Sequence, residues 1–230
     1  MKIYGLQKLT LADYPGKVAA TLFTGGCNFR CPFCHNASLV TKLATVDEIP
    51  LEDILSYLKK RSGVLDGVCV SGGEPLLQAD IFGLLEELKA IGLSVKLDTN
   101  GSYPEKLAEI ISRGLCDYVA MDIKNAPEEY PLTVGLSGFD ISPVLQSIDL
   151  LKEGRVSFEF RTTVVAELHS DDSIERMGRA FGGGHAWFLQ CFVDSGDIVS
   201  PGLSAPSRED MERYLKILRR FAPNAALREM

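Results

Sequence analysis

TGGCNFRCPFCHN, residues 24–36, places Cys27, Cys31 and Cys34 on one short loop. The run just before it, VAATLF (18–23), is apolar and reads as a buried strand. A buried strand that runs into a glycine-rich loop is the way α/β folds present ligands, at the carboxyl ends of parallel strands. The rest of the chain decides whether such strands recur.

They do. Leu51, Ile54, Leu55 and Leu58 repeat at helical spacing and predict a helix over 50–61, with Pro50 suited to its first turn. DGVCVSGG (66–73) reads as a short strand stopped by glycines, and ADIFGLLEELKAIG (79–92) as an amphipathic helix ended by Gly92. Further strands fall at 93–101, 117–124, 156–165 and 186–192, and helices at 104–114, 141–154, 171–182 and 207–221. Ser207 and Asp210 are placed like a capping box. Six strand–helix units without repeat or linker predict one α/β domain over 1–230, a parallel sheet with helices outside. Periodicity alone leaves an open, three-quarter (β/α)6 barrel and a doubly wound sheet both standing.

The 230 residues are 46% hydrophobic and 24% charged, which suits a globular protein with a sizeable core. No apolar run approaches membrane-spanning length and the start has no signal-peptide core, so a cytoplasmic protein without a membrane partner is expected. The formal charge is −7 and the basic residues are scattered, which argues against nucleic acid. Six cysteines without an export signal point to metal or redox chemistry rather than disulfides.

Three thiolates on one loop can ligate three irons of a cubane and leave the fourth open. An open coordination position is what a substrate-binding metal site needs. Structural zinc would want a fourth ligand, and His35 is too close to Cys34 in the chain to join it easily, while His169 and His185 are far off. Cys69, Cys116 and Cys191 read as buried strand cysteines.

The other strand ends are polar. Ser71-Gly72-Gly73-Glu74-Pro75 lets backbone approach a ligand and offers a carboxylate to an ammonium group. Asp98-Thr99-Asn100-Gly101 also reads as a plain turn, and Asp122-Ile123-Lys124 as a solvated ion pair. Arg161, inside an otherwise apolar strand, needs a partner: a ligand, Glu159 or Asp122.

The C-x3-C-x2-C loop with Phe33 before its third cysteine resembles the signature of radical S-adenosylmethionine (SAM) enzymes. Cys34-His35-Asn36 is similar to the version in activating enzymes of glycyl-radical proteins. The resemblance spans about residues 15–200 and preserves the order of five motifs. It implies the open (β/α)6 barrel and one [4Fe–4S] cluster on Cys27, Cys31 and Cys34. It implies SAM bound to the unique iron and cleaved by one electron to a 5′-deoxyadenosyl radical. Phe33 and His35 would then meet adenine, mainly through backbone, and Gly72, Gly73 and Glu74 the amino group of SAM. Asp98, Thr99, Asp122 and Lys124 would surround its ribose and methionyl parts, with Arg161 at the corresponding strand end. Two carboxylates and the Thr99 hydroxyl beside the SAM carboxylate also raise the expectation of a monovalent cation near Asp98 and Asp122.

Within that family the chain looks most like activating proteins of anaerobic ribonucleoside-triphosphate reductase, in their longer form. The implied partners are a glycyl-radical enzyme as protein substrate and an electron donor such as flavodoxin or ferredoxin. Related activases of pyruvate formate-lyase carry a His near the end of the sixth strand, where this chain reads Leu189-Gln190-Cys191-Phe192-Val193. Larger activases insert a ferredoxin-like segment with further cysteines, which this chain lacks. Three other readings compete: an activase of another glycyl-radical enzyme, a radical SAM enzyme of cofactor or modified-base synthesis, and a simple electron carrier. The carrier leaves Glu74, Asp98 and Lys124 without a role.

Overall fold

The structure, a computed structural model, describes residues 1–228. Its strands are β1 (Ile3–Thr10), β2 (Ala19–Thr24), β3 (Gly67–Gly72), β4 (Ser94–Thr99), β5 (Tyr118–Asp122), β6 (Ser157–Val164), β7 (Ala186–Cys191) and β8 (Ala225–Leu227). The helices are α1 (Ala37–Thr41), α2 (Leu51–Arg61), α3 (Ile81–Ala90), α4 (Pro104–Ser112), α5 (Tyr130–Thr133), α6 (Ser142–Lys152), α7 (Asp171–Phe181) and α8 (Arg208–Leu218). All six strand–helix units expected from sequence form, with ends shifted by a few residues.

The strands lie in one sheet in the order of the chain, β1 to β8. β1 pairs antiparallel with β2, and each later neighbour is parallel. A doubly wound sheet must reverse its strand order at a switch point, and this order never reverses. The sheet also curls. Five strand spacings of ~4.8 Å would hold β2 and β7 about 24 Å apart in a flat sheet. Yet Cys27, just beyond β2, and Gln190, on β7, line one cavity of about 270 Å³. No ladder joins β1 to β8 among the described residues, so the barrel stays open.

Alternation along the strands sorts the two faces. On β4, Val95 and Leu97 are fully buried in the apolar core with Leu84, Leu85 and Leu88 of α3. Each such side chain contributes ~1.5–3 kcal/mol by leaving water. Their neighbours Lys96 and Asp98 point to the barrel interior and pair with each other. Gly92 and Gly114 end α3 and α4 with φ of +89° and +64°, the left-handed conformation that closes a helix without a Cβ penalty. The capping box expected at Ser207 and Asp210 is present, and Ser170 and Ser173 form a second one at α7.

Four elements were not foreseen. β1 has Gln7, Lys8 and Leu9 exposed and two register irregularities, which erase the alternation a strand would show. β8, α1 and α5 have three, five and four residues, too short for a periodic signal.

Candidate active site

The carboxyl ends of β2 to β7 converge on the cavity. Its wall includes Cys27, Cys31, Phe33, Cys34 and His35 from the loop after β2, and Gly72, Gly73, Asp98, Thr99, Asp122, Lys124 and Arg161 from the strands beyond. Of the residues expected to hold the cluster or SAM, all but Glu74 line it.

The cysteine loop is held from several sides. Arg30 donates its N–H to the Val134 carbonyl at 2.8 Å, and Asn28 donates to the Ser102 hydroxyl at 2.9 Å. The Phe29 N–H points at Cys27 Sγ, 3.3 Å away, and Asn100 Nδ2 lies 3.7 Å from the same sulfur. Gly73 shows why its position is glycine, since a Cβ there would sit 1.9 Å from the Gly26 carbonyl oxygen. Gly72 has φ +117° and its Cβ would lie 2.3 Å from Thr24 backbone. This close approach lets the Gly73 N–H reach the Thr24 carbonyl at 2.9 Å and the Glu74 N–H reach that of Gly26 at 2.8 Å.

All six cysteines carry free thiols. Burial pushes Cys27 up to about 11 and Cys31 up to about 12, and raises Cys34. Thiolates at such a place need positive charge, and iron supplies it. Three cysteine thiols in the lining of one cavity fit a cubane that keeps one iron open. His35 Nε2 is buried without a partner. Cys69, Cys116 and Cys191 are buried elsewhere, as expected, with Cys69 Sγ 3.7 Å from Lys96 Nζ.

On the strand side the charged residues form one chain of pairs. Arg161 donates from Nη1 to Asp98 Oδ2 at 3.1 Å and from Nε to Asp122 Oδ1 at 3.0 Å. Lys124 donates to the other Asp122 oxygen at 2.9 Å, Ser71 to Asp98 at 3.0 Å, and Lys96 to Asp98 from below. Burial alone would raise both aspartates, but Arg161 with Lys96 holds Asp98, and Arg161 with Lys124 holds Asp122, below the usual carboxylate range. These pairs supply within the chain the counter-charge for which a cation was expected beside Asp98 and Asp122. Glu159 is not Arg161's hydrogen-bonding partner; it takes Tyr118 at 3.0 Å and Arg228 at 2.7 Å.

Glu74 lies apart from the other residues expected to meet SAM. Its carboxylate is buried behind the wall and accepts from Leu76 N–H at 3.0 Å, Thr99 hydroxyl at 2.8 Å and Asn100 N–H at 2.7 Å. It braces the end of β3 against the end of β4 and is not presented to a ligand's ammonium group. Sequence reading passed over Thr163, which lines the cavity, and named Gln190, which lines it too, only as part of a segment without the lyase activases' His. Thr163 stands two residues after Arg161, so a period of two would have found it.

The cavity therefore joins a wall of three thiols to a wall of paired carboxylates and cations. Such pairs can exchange partners with a zwitterion, the carboxylate of a ligand taking Lys124 or Arg161 and its ammonium an aspartate. The Radical SAM superfamily model matches residues 21–179, and the chain belongs to that superfamily. Its relatives narrow the branch. It is 33% identical to a Methanocaldococcus jannaschii protein provisionally named glycyl-radical enzyme activating enzyme MJ1227, over 98% of this chain and 95% of that one. It is 27% identical to the pyruvate formate-lyase 1-activating enzyme of Escherichia coli K12, over 96% of each. A crystallised domain of pyruvate-formate lyase-activating enzyme from Bacteroides vulgatus shares the fold, with TM-score 0.58 and 18% identity over 71% of this chain and 99% of that one.

Proposed function

We propose that this chain is an activase that generates a glycyl radical on a partner enzyme, anaerobic ribonucleotide reductase being the first candidate. The observation that carries the reading is the single cavity on which three free cysteines and the Asp98–Arg161–Asp122–Lys124 chain converge. Relatives matched nearly end to end bear activating-enzyme names, which supports the same reaction class. Cys27, Cys31 and Cys34 would hold one [4Fe–4S] cluster. With SAM bound, that cluster supplies one electron for reductive cleavage to a 5′-deoxyadenosyl radical. The chain's own residues do the rest. Phe33, His35, Gly72 and Gly73 shape the cavity on the cluster side, while Asp98, Thr99, Asp122, Lys124 and Arg161 orient the polar parts of SAM. The buried apolar residues of the loop, Phe29 and Phe33, keep water from the thiols.

Ribonucleotide reductase is put before pyruvate formate-lyase on the overall sequence resemblance, and the end of the sixth strand, which lines the cavity with Gln190, carries no His of the kind lyase activases have near there. Flavodoxin or ferredoxin is the proposed electron donor, and the cytoplasm the proposed place of the reaction. A monovalent cation beside Asp98 and Asp122 would have to displace Lys124 or Arg161 from carboxylate oxygens they already occupy. Such a cation would bind there only beside a SAM carboxylate that had taken over Lys124 or Arg161.

The test is anaerobic reduction with SAM and each candidate partner, read by electron paramagnetic resonance. A radical should appear on the partner and collapse its α-hydrogen splitting when the glycine carries deuterium. Deuterium reaching 5′-deoxyadenosine only from a small molecule, never from a glycyl-radical enzyme, sinks the activase reading and leaves the small-molecule one.

A further inference from the structure

Between β7 and α8 the chain crosses residues 192–206 without helix or strand, yet this strap comes down on the cysteine loop at three places. The Phe192 ring lies 5.5 Å from that of His35. Ser200 donates its N–H to the Pro32 carbonyl at 2.9 Å. Asp197 makes the third and densest contact. Its Oδ2 accepts from the Ser38 N–H at 3.1 Å and from the Ser38 hydroxyl at 2.7 Å, and its carbonyl accepts from the Ala37 N–H at 3.4 Å.

Ala37 and Ser38 open α1, the short helix that closes the cysteine loop. The first amides of a helix have no partner within it, and five residues are too few to be stable alone. Asn36, which stands at the N-cap, makes no side-chain cap bond there; its Nδ2 donates instead to the Gly72 carbonyl at 2.9 Å. The cap therefore arrives from a residue 159 positions away. Ser38 follows Cys34 by four residues, so the carboxylate stands at the end of the loop that bears the third cysteine.

We propose that Asp197 is a positioning residue for the cluster. Through Ala37 and Ser38 it fixes the end of the loop that bears Cys34, and its charge makes the neighbouring cluster harder to reduce. The second half rests on the cluster reading above; the first does not. Negative charge beside an iron–sulfur centre lowers its reduction potential, because reduction adds a like charge.

Two substitutions separate the roles. Asp197→Ala removes cap and charge, whereas Asp197→Asn keeps an acceptor oxygen for Ser38 and loses the charge. Amide exchange of Ala37 and Ser38 is read on the full-length chain before cluster reconstitution, with β4 amides as the control for overall folding. The Ala variant should exchange about tenfold faster at Ser38, with Ala37, whose acceptor is the Asp197 main-chain carbonyl, and the β4 amides near the parent rate, while the Asn variant stays near the parent rate throughout. After reconstitution, the midpoint potential of the Asn variant should shift to more positive values. An Ala variant that exchanges at the parent rate at Ser38, or an Asn variant with the parent's midpoint, overturns the proposal. A failure of the cluster reading would show itself separately, as missing iron and sulfide.

Discussion

Asn100 gives its backbone N–H to a Glu74 oxygen at 2.7 Å, and so ties the end of β4 to the turn after β3. With Thr99 and Leu76 on the other oxygen, the carboxylate satisfies three donors that would otherwise be buried unpaired. Glu74→Ala should therefore act on folding first. One buried unsatisfied group costs ~1–3 kcal/mol, so a loss of about 3 kcal/mol is expected by urea denaturation of the chain before reconstitution. SAM affinity should fall with it, because Thr99 lines the cavity. Parent stability with weakened SAM binding would restore Glu74 as a direct ligand contact.

Cluster retention should divide the cysteines cleanly. Serine at Cys27, Cys31 or Cys34 should abolish it, whereas serine at Cys69, Cys116 or Cys191 should leave about four iron and four sulfide per chain. Stoichiometric zinc without sulfide in oxygen-free preparations would refute the cubane.

Replacing Arg161 by Lys keeps the charge and gives up the fork that holds Asp98 and Asp122 together. SAM affinity should drop by roughly one to two decades, the worth of one charge-assisted bond at ~1.5–3 kcal/mol. The cluster's absorbance should not change. Calorimetric titration under anaerobic conditions measures the first, and an unchanged affinity would remove Arg161 from the SAM site.

His169 supplies a pH test. Its Nδ1 accepts the Val165 N–H at 3.1 Å and its Nε2 faces the Lys124 carbonyl at 3.0 Å, so the neutral ring with hydrogen on Nε2 satisfies both. Burial lowers its pKa from the ordinary 6.5, outweighing the bonds to Lys124 and Val165. On acidification the unfolded chain takes up this proton first. The contribution is complete above pH 6.5 and is lost as pH falls through the lower folded value. His169→Gln, which keeps a donor and an acceptor, should flatten the melting-temperature profile below pH 6.5 relative to the parent. Parallel profiles would show that the ring does not titrate with folding.

Much of this was legible because chemistry and periodicity coincide at strand ends. The cysteine spacing and the residues Asp98, Asp122, Lys124 and Arg161 could be placed together from the strand pattern alone. Partner choice could not. Arg161 had Glu159 and Asp122 as candidates in sequence, and only the parallel register, which sets Asp122 opposite Arg161, made the decision. Glu74 misled because a carboxylate after two glycines looks the same whether it faces a ligand or three backbone-proximal donors. Asp197 carried no signal, since its partner Ser38 is remote and the loop between is irregular.

Among the described residues no ladder couples β1 to β8, which gives the barrel the mechanics of a split ring. Widening a closed barrel tears a ladder of backbone bonds, but here the two lips can part without losing any strand pairing. Their separation above the cavity is resisted by the contacts of Phe192 with His35, Ser200 with Pro32, and Asp197 with Ala37 and Ser38. Compliance is thus concentrated at the rim beside the cysteines, where a bulky peptide can be admitted while the strands that aim Asp98, Asp122 and Arg161 stay in register.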